Sequence, residues 1–286
     1  CDQTQDLIDG RLDRRRSKSV FGPVGGKKLV VMVDDLNMPN KETYGTQPPI
    51  EILRQMIDKA AYRPGGGWFD RTDKKHPFRN ITDVLLVSAM GLPGGGRTFI
   101  TPRMLGLMHM IGFAELDDDS MFAIFEKILD VKFGDYGMPS DISSMSSKLV
   151  LATLDILKLV AAELLPTPAK VHYTINLRDF SKVIIGILMI GKKESDDKIR
   201  HIRSWCHEVF RVFADRLISD KDRQWMLDNV RKITKTQFNV NFDSVFEHLD
   251  NNDDKKVDTT EDLRGLFFTN LTGPVGYPSR PYIEIQ

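Results

Sequence analysis

The run Leu29-Val30-Val31-Met32-Val33 constrains the fold more than any other part of the chain. It is continuously apolar and rich in β-branched residues. Such a run reads as a strand buried on both faces, as in a parallel sheet covered by helices. It stops at two acids, Asp34 and Asp35. Open α/β sheets place their ligands at this carboxyl edge.

An apolar strand ending in paired acids is the Walker B pattern. A buried strand holds the first carboxylate, Asp34, rigidly, where it can orient Mg²⁺ through water. The second, Asp35, can orient or deprotonate an attacking water. The pattern alone has low specificity, since any strand leaving a core can end in Asp at a turn. The companion phosphate loop is missing from the sequence. Gly25-Gly26-Lys27-Lys28 has Phe21 where the first glycine belongs and Lys28 where a metal-binding Ser or Thr belongs, and a strand follows instead of a helix N-terminus. Gly94-Gly95-Gly96-Arg97 also lacks the Gly-Lys-Ser/Thr ending and reads as a flexible loop.

The rest of the pattern divides the chain. Asp6 to Lys18 reads as a polar helix, and Pro49 to Ala61 as an amphipathic one beginning at proline. Trp68-Phe69 and the polar turn near Asp73 to His76 suggest a hairpin. Ile81 to Ala89 reads as a second buried strand and Met108 to Phe113 as a third. From Asp117-Asp118-Asp119 onward the period changes to that of helices, the acids forming a good helix start. One apolar face runs through Met121, Ile124, Phe125, Ile128 and Leu129. Further stripes run from Leu149 to Leu164, Asp179 to Ile190, Ile199 to Leu217 and Trp225 to Ile233. The last fifty residues read as another helix pair with a Pro/Gly-rich exit. The expected organisation is an α/β part over 1–116, an all-helical part over 117–236 and a helical linker over 237–286.

Composition removes several function classes. Lys+Arg and Asp+Glu both number 40, which disfavours a general electrostatic grip on nucleic acid or anionic lipid. The longest apolar run, Val183 to Ile190, is too short to span a bilayer. Two cysteines, Cys1 and Cys206, exclude a disulfide scaffold and fit a reducing compartment. Cys206 lies on an apolar stripe and reads as core. Asp250 to Glu261 has the acid spacing of an EF-hand loop, but Lys255 stands where the sharp turn needs glycine. A solvated acidic turn is the preferred reading, with a calcium-responsive helical protein as a distant rival. The chain starts at Cys1 without an apolar signal core, and reads as beginning inside a longer polypeptide.

Several segments together resemble one family. They are Val33-Asp34-Asp35-Leu36-Asn37-Met38-Pro39, Tyr44-Gly45-Thr46-Gln47-Pro48-Pro49-Ile50-Glu51, Met90-Gly91-Leu92-Pro93-Gly94-Gly95-Gly96-Arg97 and Thr101-Pro102-Arg103. Asn176-Leu177-Arg178-Asp179-Phe180-Ser181 and the stretch from Trp205 to Phe213 complete the set. In this order and spacing the chain resembles the third AAA+ module of dynein heavy chains of the axonemal type. The resemblance implies a truncated AAA+ αβα nucleotide-binding subdomain followed by an α-helical lid. It implies ATP or ADP with Mg²⁺ as cofactor. Asp34 is then the Walker B acid, contacting Mg²⁺ through water, and Asp35 stands where many relatives have Glu. Arg178 resembles the sensor-II arginine that touches the module's own γ-phosphate, and Arg103 the arginine finger that serves a neighbour's nucleotide. Met90 lies where the strand lacks the polar sensor-I Asn.

The implied parent is an ATP-driven, minus-end-directed microtubule motor of the ciliary or flagellar axoneme. Its partners would be neighbouring AAA+ modules and, through other regions, intermediate and light chains and microtubules, with no nucleic acid or membrane. Without the Walker A loop the fragment is expected to be inactive alone. A ring-building scaffold without nucleotide chemistry is the alternative.

Overall fold

The computed structural model describes residues 2–15, 19–58, 66–71, 78–138, 140–192, 197–249, 256–257, 259–271 and 282–285. It separates into two compact units, Cys1–Phe113 and Ala114–Gln286.

The first unit is mixed α/β. Helix α1 (Asp2–Asp9) gives way at Gly10 to β1 (Leu12–Arg14), so the polar helix expected up to Lys18 ends earlier. β2 (Val20–Pro23) precedes β3 (Leu29–Val33), α2 (Pro48–Ile57), β4 (Gly67–Phe69), β5 (Phe78–Ile81), β6 (Val84–Ser88) and the one-turn helix α3 (Pro102–Leu105). One sheet has the order β1-β2-β5-β4, and β4 and β5 form the antiparallel pair anticipated around Trp68. The other is β3-β6, parallel and in register from Leu29↔Val84 to Val33↔Ser88. Helix α2 opens on Pro48-Pro49, where the missing N–H groups cost nothing. It buries Ile50, Leu53 and Met56 in a core with Trp68, Ile81 and Met104.

Three expectations for this unit are corrected. The strand foreseen over Ile81 to Ala89 is two strands in two sheets, broken at Asp83, whose φ is +60. The β3 run is not buried on both faces. Leu29, Val31 and Val33 pack inward, whereas Val30 and Met32 are each 59% exposed, as are Leu85 (60%) and Val87 (40%) on β6. The β-branched run reported strand propensity correctly, but a two-stranded sheet packs one face only. Finally, Met108 to Phe113 forms no strand. A strand needs a ladder partner for its amides and carbonyls, and no described strand lies beside this segment.

The second unit is helical: α4 (Asp118–Tyr136), α5 (Ser140–Ser143), α6 (Met145–Glu163), α7 (Leu177–Leu188), α8 (Lys198–Val209), α9 (Asp220–Ile233) and the short α10 (Phe242–Val245). Asp117 caps α4, its side chain accepting the Ser120 amide at 3.0 Å. Phe125, Leu129 and Phe133 of α4 are buried, while Ile124 and Ile128 of the expected face stay exposed. The core continues through Leu149, Ile156, Phe180, Ile184, Trp205, Phe213 and Leu227. Cys206 is fully buried, as its stripe position implied, and burial pushes its thiol pKa up. Trp205 Nε1 donates to Thr153 Oγ1 at 2.9 Å, so the largest core side chain leaves no polar atom unpaired.

Residues 237–286 depart from the expected helical linker. Beyond α10 the described residues form single helical turns and an antiparallel pair of strands, β7 (Phe267–Thr269) and β8 (Ile283–Ile285). Phe268 and Tyr282 join the helical core. Tyr282 donates to the buried Glu208 of α8, which Arg211 and His207 also contact. This strand pair therefore belongs to the lid's packing. Most of the acidic loop, 250–255 and 258, lies outside the described residues; Val257, its apolar eighth position, is buried.

Candidate functional site

Parallel pairing of β3 and β6 brings the C-terminal ends of both strands to one edge. The ladder runs past the strands, with Ala89 N donating to Val33 O and Leu36 N to Ala89 O, both at 2.9 Å. The turn after β3 and the loop after β6 therefore lie side by side. Asp34 is exposed at this edge; its Oδ1 accepts the Asp35 amide at 3.0 Å. Its second oxygen has no partner among the described residues. Asp35 follows with φ +49, closing a turn in which Met38 N donates to Asp35 O at 2.9 Å. The Asp35 side chain is turned to Arg97, whose Nη2 and Nε approach Oδ1 at 3.0 and 3.2 Å.

The two loops are stitched together by residues that sequence reasoning did not single out for a role. Asn37 and Gln47 are nearly fully buried. Asn37 Nδ2 donates to Gly91 O at 2.8 Å, and Thr98 N donates to Asn37 O at 2.9 Å. Gln47 Nε2 donates to Pro39 O and to Thr98 Oγ1, both at 2.6 Å. The signal was present, because Asn37, Gln47 and Arg97 all stand inside the motifs that carry the family resemblance. Nothing in their spacing said that they meet. The loop read as flexible is closed on itself, Gly94 and Arg97 exchanging backbone hydrogen bonds at 3.0 and 3.1 Å.

Arg103 is the second residue of α3 and is exposed, with no ion-pair partner among the described residues. Arg178 lies in the second unit, second in α7, and is also exposed without an ion pair among the described residues. The cap beneath Arg178 is firm. Asn176 Oδ1 accepts the amides of Arg178 (2.9 Å) and Asp179 (3.3 Å), and Asp179 returns a bond to the Asn176 amide. Asp179 is buried and takes Arg216 Nη2 at 2.9 Å and Lys182 Nζ at 3.0 Å. Burial favours its neutral form, but the bonds from Arg216 and Lys182 outweigh that and hold the carboxyl below the usual range.

The acid pair thus gathers Asp34, Asp35 and Arg97 at one edge, while Arg103 and Arg178 stand on separate elements. Asp34, exposed and with a free oxygen, fits a water-mediated contact to a magnesium ion. The amides that would cradle phosphates are not found in the two glycine runs. Gly25 and Gly26 lead into a strand, and Gly94 to Gly96 turn back on themselves. No group of three or more metal-binding side chains occurs among the described residues.

Comparison with known families agrees with this architecture. Residues 1–116 match the P-loop containing dynein motor region, and residues 149–252 match an AAA+ lid domain. The fold is that of an AAA+ α/β subdomain followed by a helical lid. Across all 286 residues the chain is 42% identical to mouse dynein axonemal heavy chain 12, covering 9% of that protein. It is 45% identical over 274 residues, 96% of this chain, to mouse dynein axonemal heavy chain 3, covering 6% of it. Human dynein axonemal heavy chain 1 is 44% identical over 256 residues, 86% of this chain and 6% of that one. The chain belongs to the axonemal dynein heavy chain family and spans less than a tenth of the relatives it matches.

Proposed function

We propose that this chain is part of the third AAA+ module in the ring of an axonemal dynein heavy chain, and that the module is a regulatory ATP-binding site of a microtubule motor. The observation that carries this reading is the parallel β3–β6 pair, which delivers an exposed Asp34 and an adjacent Asp35 to one sheet edge. Bound Mg²⁺ would supply charge neutralisation for the phosphates. Asp34 would hold that ion through a water, using its unpartnered oxygen. Asp35 would orient or deprotonate the attacking water. Arg178, fixed by the α7 cap and without an ion pair among the described residues, would reach this module's own nucleotide. Arg103, likewise without an ion pair among the described residues, would serve the preceding interface. Neighbouring modules are the direct partners. Intermediate and light chains and microtubules would be met through other regions of the heavy chain, in the axoneme of a cilium or flagellum.

The phosphate grip would come from a P-loop strand and helix elsewhere in the heavy chain. Support for this comes from the exposed apolar face of β3–β6 and from the segment Met108–Phe113, which pairs with no strand among the described residues. The chain alone is then expected to bind ATP weakly and not to hydrolyse it. The test is nucleotide occupancy at this ring position in the full-length heavy chain. Asp34→Ala should weaken Mg·ATP retention there by about tenfold or more, as expected for loss of one charged contact. An empty wild-type site, or occupancy indifferent to Asp34, would instead make the module a ring scaffold.

A further inference from the structure

The nucleotide reading leaves two features of the Asp35 turn unexplained. Asp35 holds φ +49, a left-handed backbone that a non-glycine residue adopts at a cost. In that conformation its carboxylate faces Arg97, and two guanidinium nitrogens contact the same oxygen, Oδ1. Arg97 is placed there by its own loop. Gly94, Gly95 and Gly96 have φ of +135, +57 and +90, which allow the reciprocal Gly94–Arg97 backbone pair. The Arg97 side chain lies over Gly91, where an added Cβ would stand 3.0 Å from its Cδ and Nε. The next residue, Thr98, is bonded to Asn37 on the Asp35 turn. Both partners are therefore aimed at each other by backbone that glycine and strain make possible.

We propose that Arg97 is a positioning residue that parks Asp35, so that the site holds ATP unsplit while the contact lasts. The inference rests on the reading of Asp34 and Asp35 as the acid pair of a nucleotide site. A general base must offer a free lone pair and attract a proton. The Arg97 guanidinium, with Nη2 at 3.0 Å, occupies Oδ1 and holds the carboxylate toward the 91–98 loop, so that oxygen is not offered to a water. Oδ1 already accepts two N–H groups from Arg97. In the hydrolysis so restrained, the water oxygen bonds the γ-phosphorus. The bridging P–O bond breaks with ADP as leaving group, and the water's proton passes to Asp35. The two side chains are 40% and 41% exposed, so the contact is a weak one that a shift of the 91–98 loop can open.

The experiment uses the full-length heavy chain with its other ring sites silenced. Two readouts are taken from Arg97→Ala, Arg97→Lys, Asp35→Asn and the Asp35→Asn/Arg97→Ala double variant. The first is amide hydrogen exchange over residues 34–38 and 91–98. Arg97→Ala and Asp35→Asn should each speed exchange in both segments, and Arg97→Lys should do so less. The second is the fraction of nucleotide at this site recovered as ADP in a single turnover. Arg97→Ala should raise it by about fivefold, the most that an exposed ion pair worth ~1 kcal/mol can hold back. The double variant should return it to the wild-type level or below. Nucleotide retained with an unchanged or smaller ADP fraction in Arg97→Ala would overturn the inference and leave the nucleotide reading standing. Exchange in 91–98 that ignores Asp35→Asn would overturn it too. A wild-type site without nucleotide would remove both.

Discussion

Asp179 and Arg178 are sequence neighbours with opposite fates, one buried under the lid helix and the other projecting from its end. The Asn176-x-x-Asp179 box that fixes the start of α7 is visible in the sequence, although its value depends on a residue that is not. Arg216 reaches Asp179 from 37 residues away, and also donates to Thr174 O and Val212 O. Nothing in the local pattern around Arg216 announces this, because ion pairs across a fold have no sequence period. Removing the charge by Asp179→Asn should destabilise the lid by about 3 kcal/mol, the lower figure for breaking a buried ion pair. The same residue predicts a pH effect. Its folded pKa is depressed, so its contribution is complete above the ordinary carboxylate value and is lost as pH falls through the folded one. Glu208 and Asp222 are depressed as well: burial opposes ionisation, but bonds from His207, Arg211 and Tyr282, and from Lys170 and Tyr173, prevail. The lid should therefore weaken in acid, and Asp179→Asn should show a shallower loss. Urea midpoints at neutral pH and near pH 3 (by lid tryptophan fluorescence) check this; equal losses in the two proteins would refute it.

At the scale of elements, helices were legible and strands only partly so. Apolar stripes marked α6, α7, α8 and α9 because a helix repeats one face over many residues. The split of Ile81–Ala89 into β5 and β6 was not legible, since both pieces are apolar and the break rests on the positive φ of Asp83. Which face of β3 is covered was equally hidden, because it depends on neighbours rather than on the run itself. Two helical glycines show how packing decides where propensity alone would not. On α4, an added Cβ at Gly134 meets nothing within 4 Å, so Gly134→Ala should stabilise by roughly 0.5–1 kcal/mol through helix propensity. On α7, a Cβ at Gly186 would stand 2.1 Å from the Glu208 carboxylate. That carboxylate is fully buried and held by His207, Arg211 and Tyr282, so it cannot simply swing aside. Displacing it should cost about 3 kcal/mol. The ~1 kcal/mol regained in propensity leaves Gly186→Ala net destabilising by about 2. Chemical denaturation of the two variants should move the midpoint in opposite directions; a shared direction would mean that Glu208 repacks freely.

For the whole molecule, the two units differ in how completely they enclose their apolar surface. The helical unit encloses one large core around Trp205 and Phe180. The α/β unit leaves Val30, Met32, Leu85 and Val87 open on one sheet face, a surface that invites a covering element. The acid edge was readable because a strand-plus-acids motif is local, and the family resemblance supplied Arg103 and Arg178. That neither has an ion pair among the described residues was not readable, since an ion pair was the ordinary expectation for either. On the proposed reading the two arginines serve different nucleotides. Arg178 would act on this module's own site, and Arg103 on the site between the second and third modules of the ring. Each charge-assisted contact to phosphate is worth about 1.5–3 kcal/mol, or roughly ten- to a hundredfold in nucleotide retention. In the full-length heavy chain, Arg178→Ala should therefore weaken retention at the third site and spare the second. Arg103→Ala should loosen the second site with little effect on the third pocket. Occupancy measured site by site decides the matter. A third site emptied by Arg103→Ala and untouched by Arg178→Ala would show that the two arginines have been assigned the wrong way round.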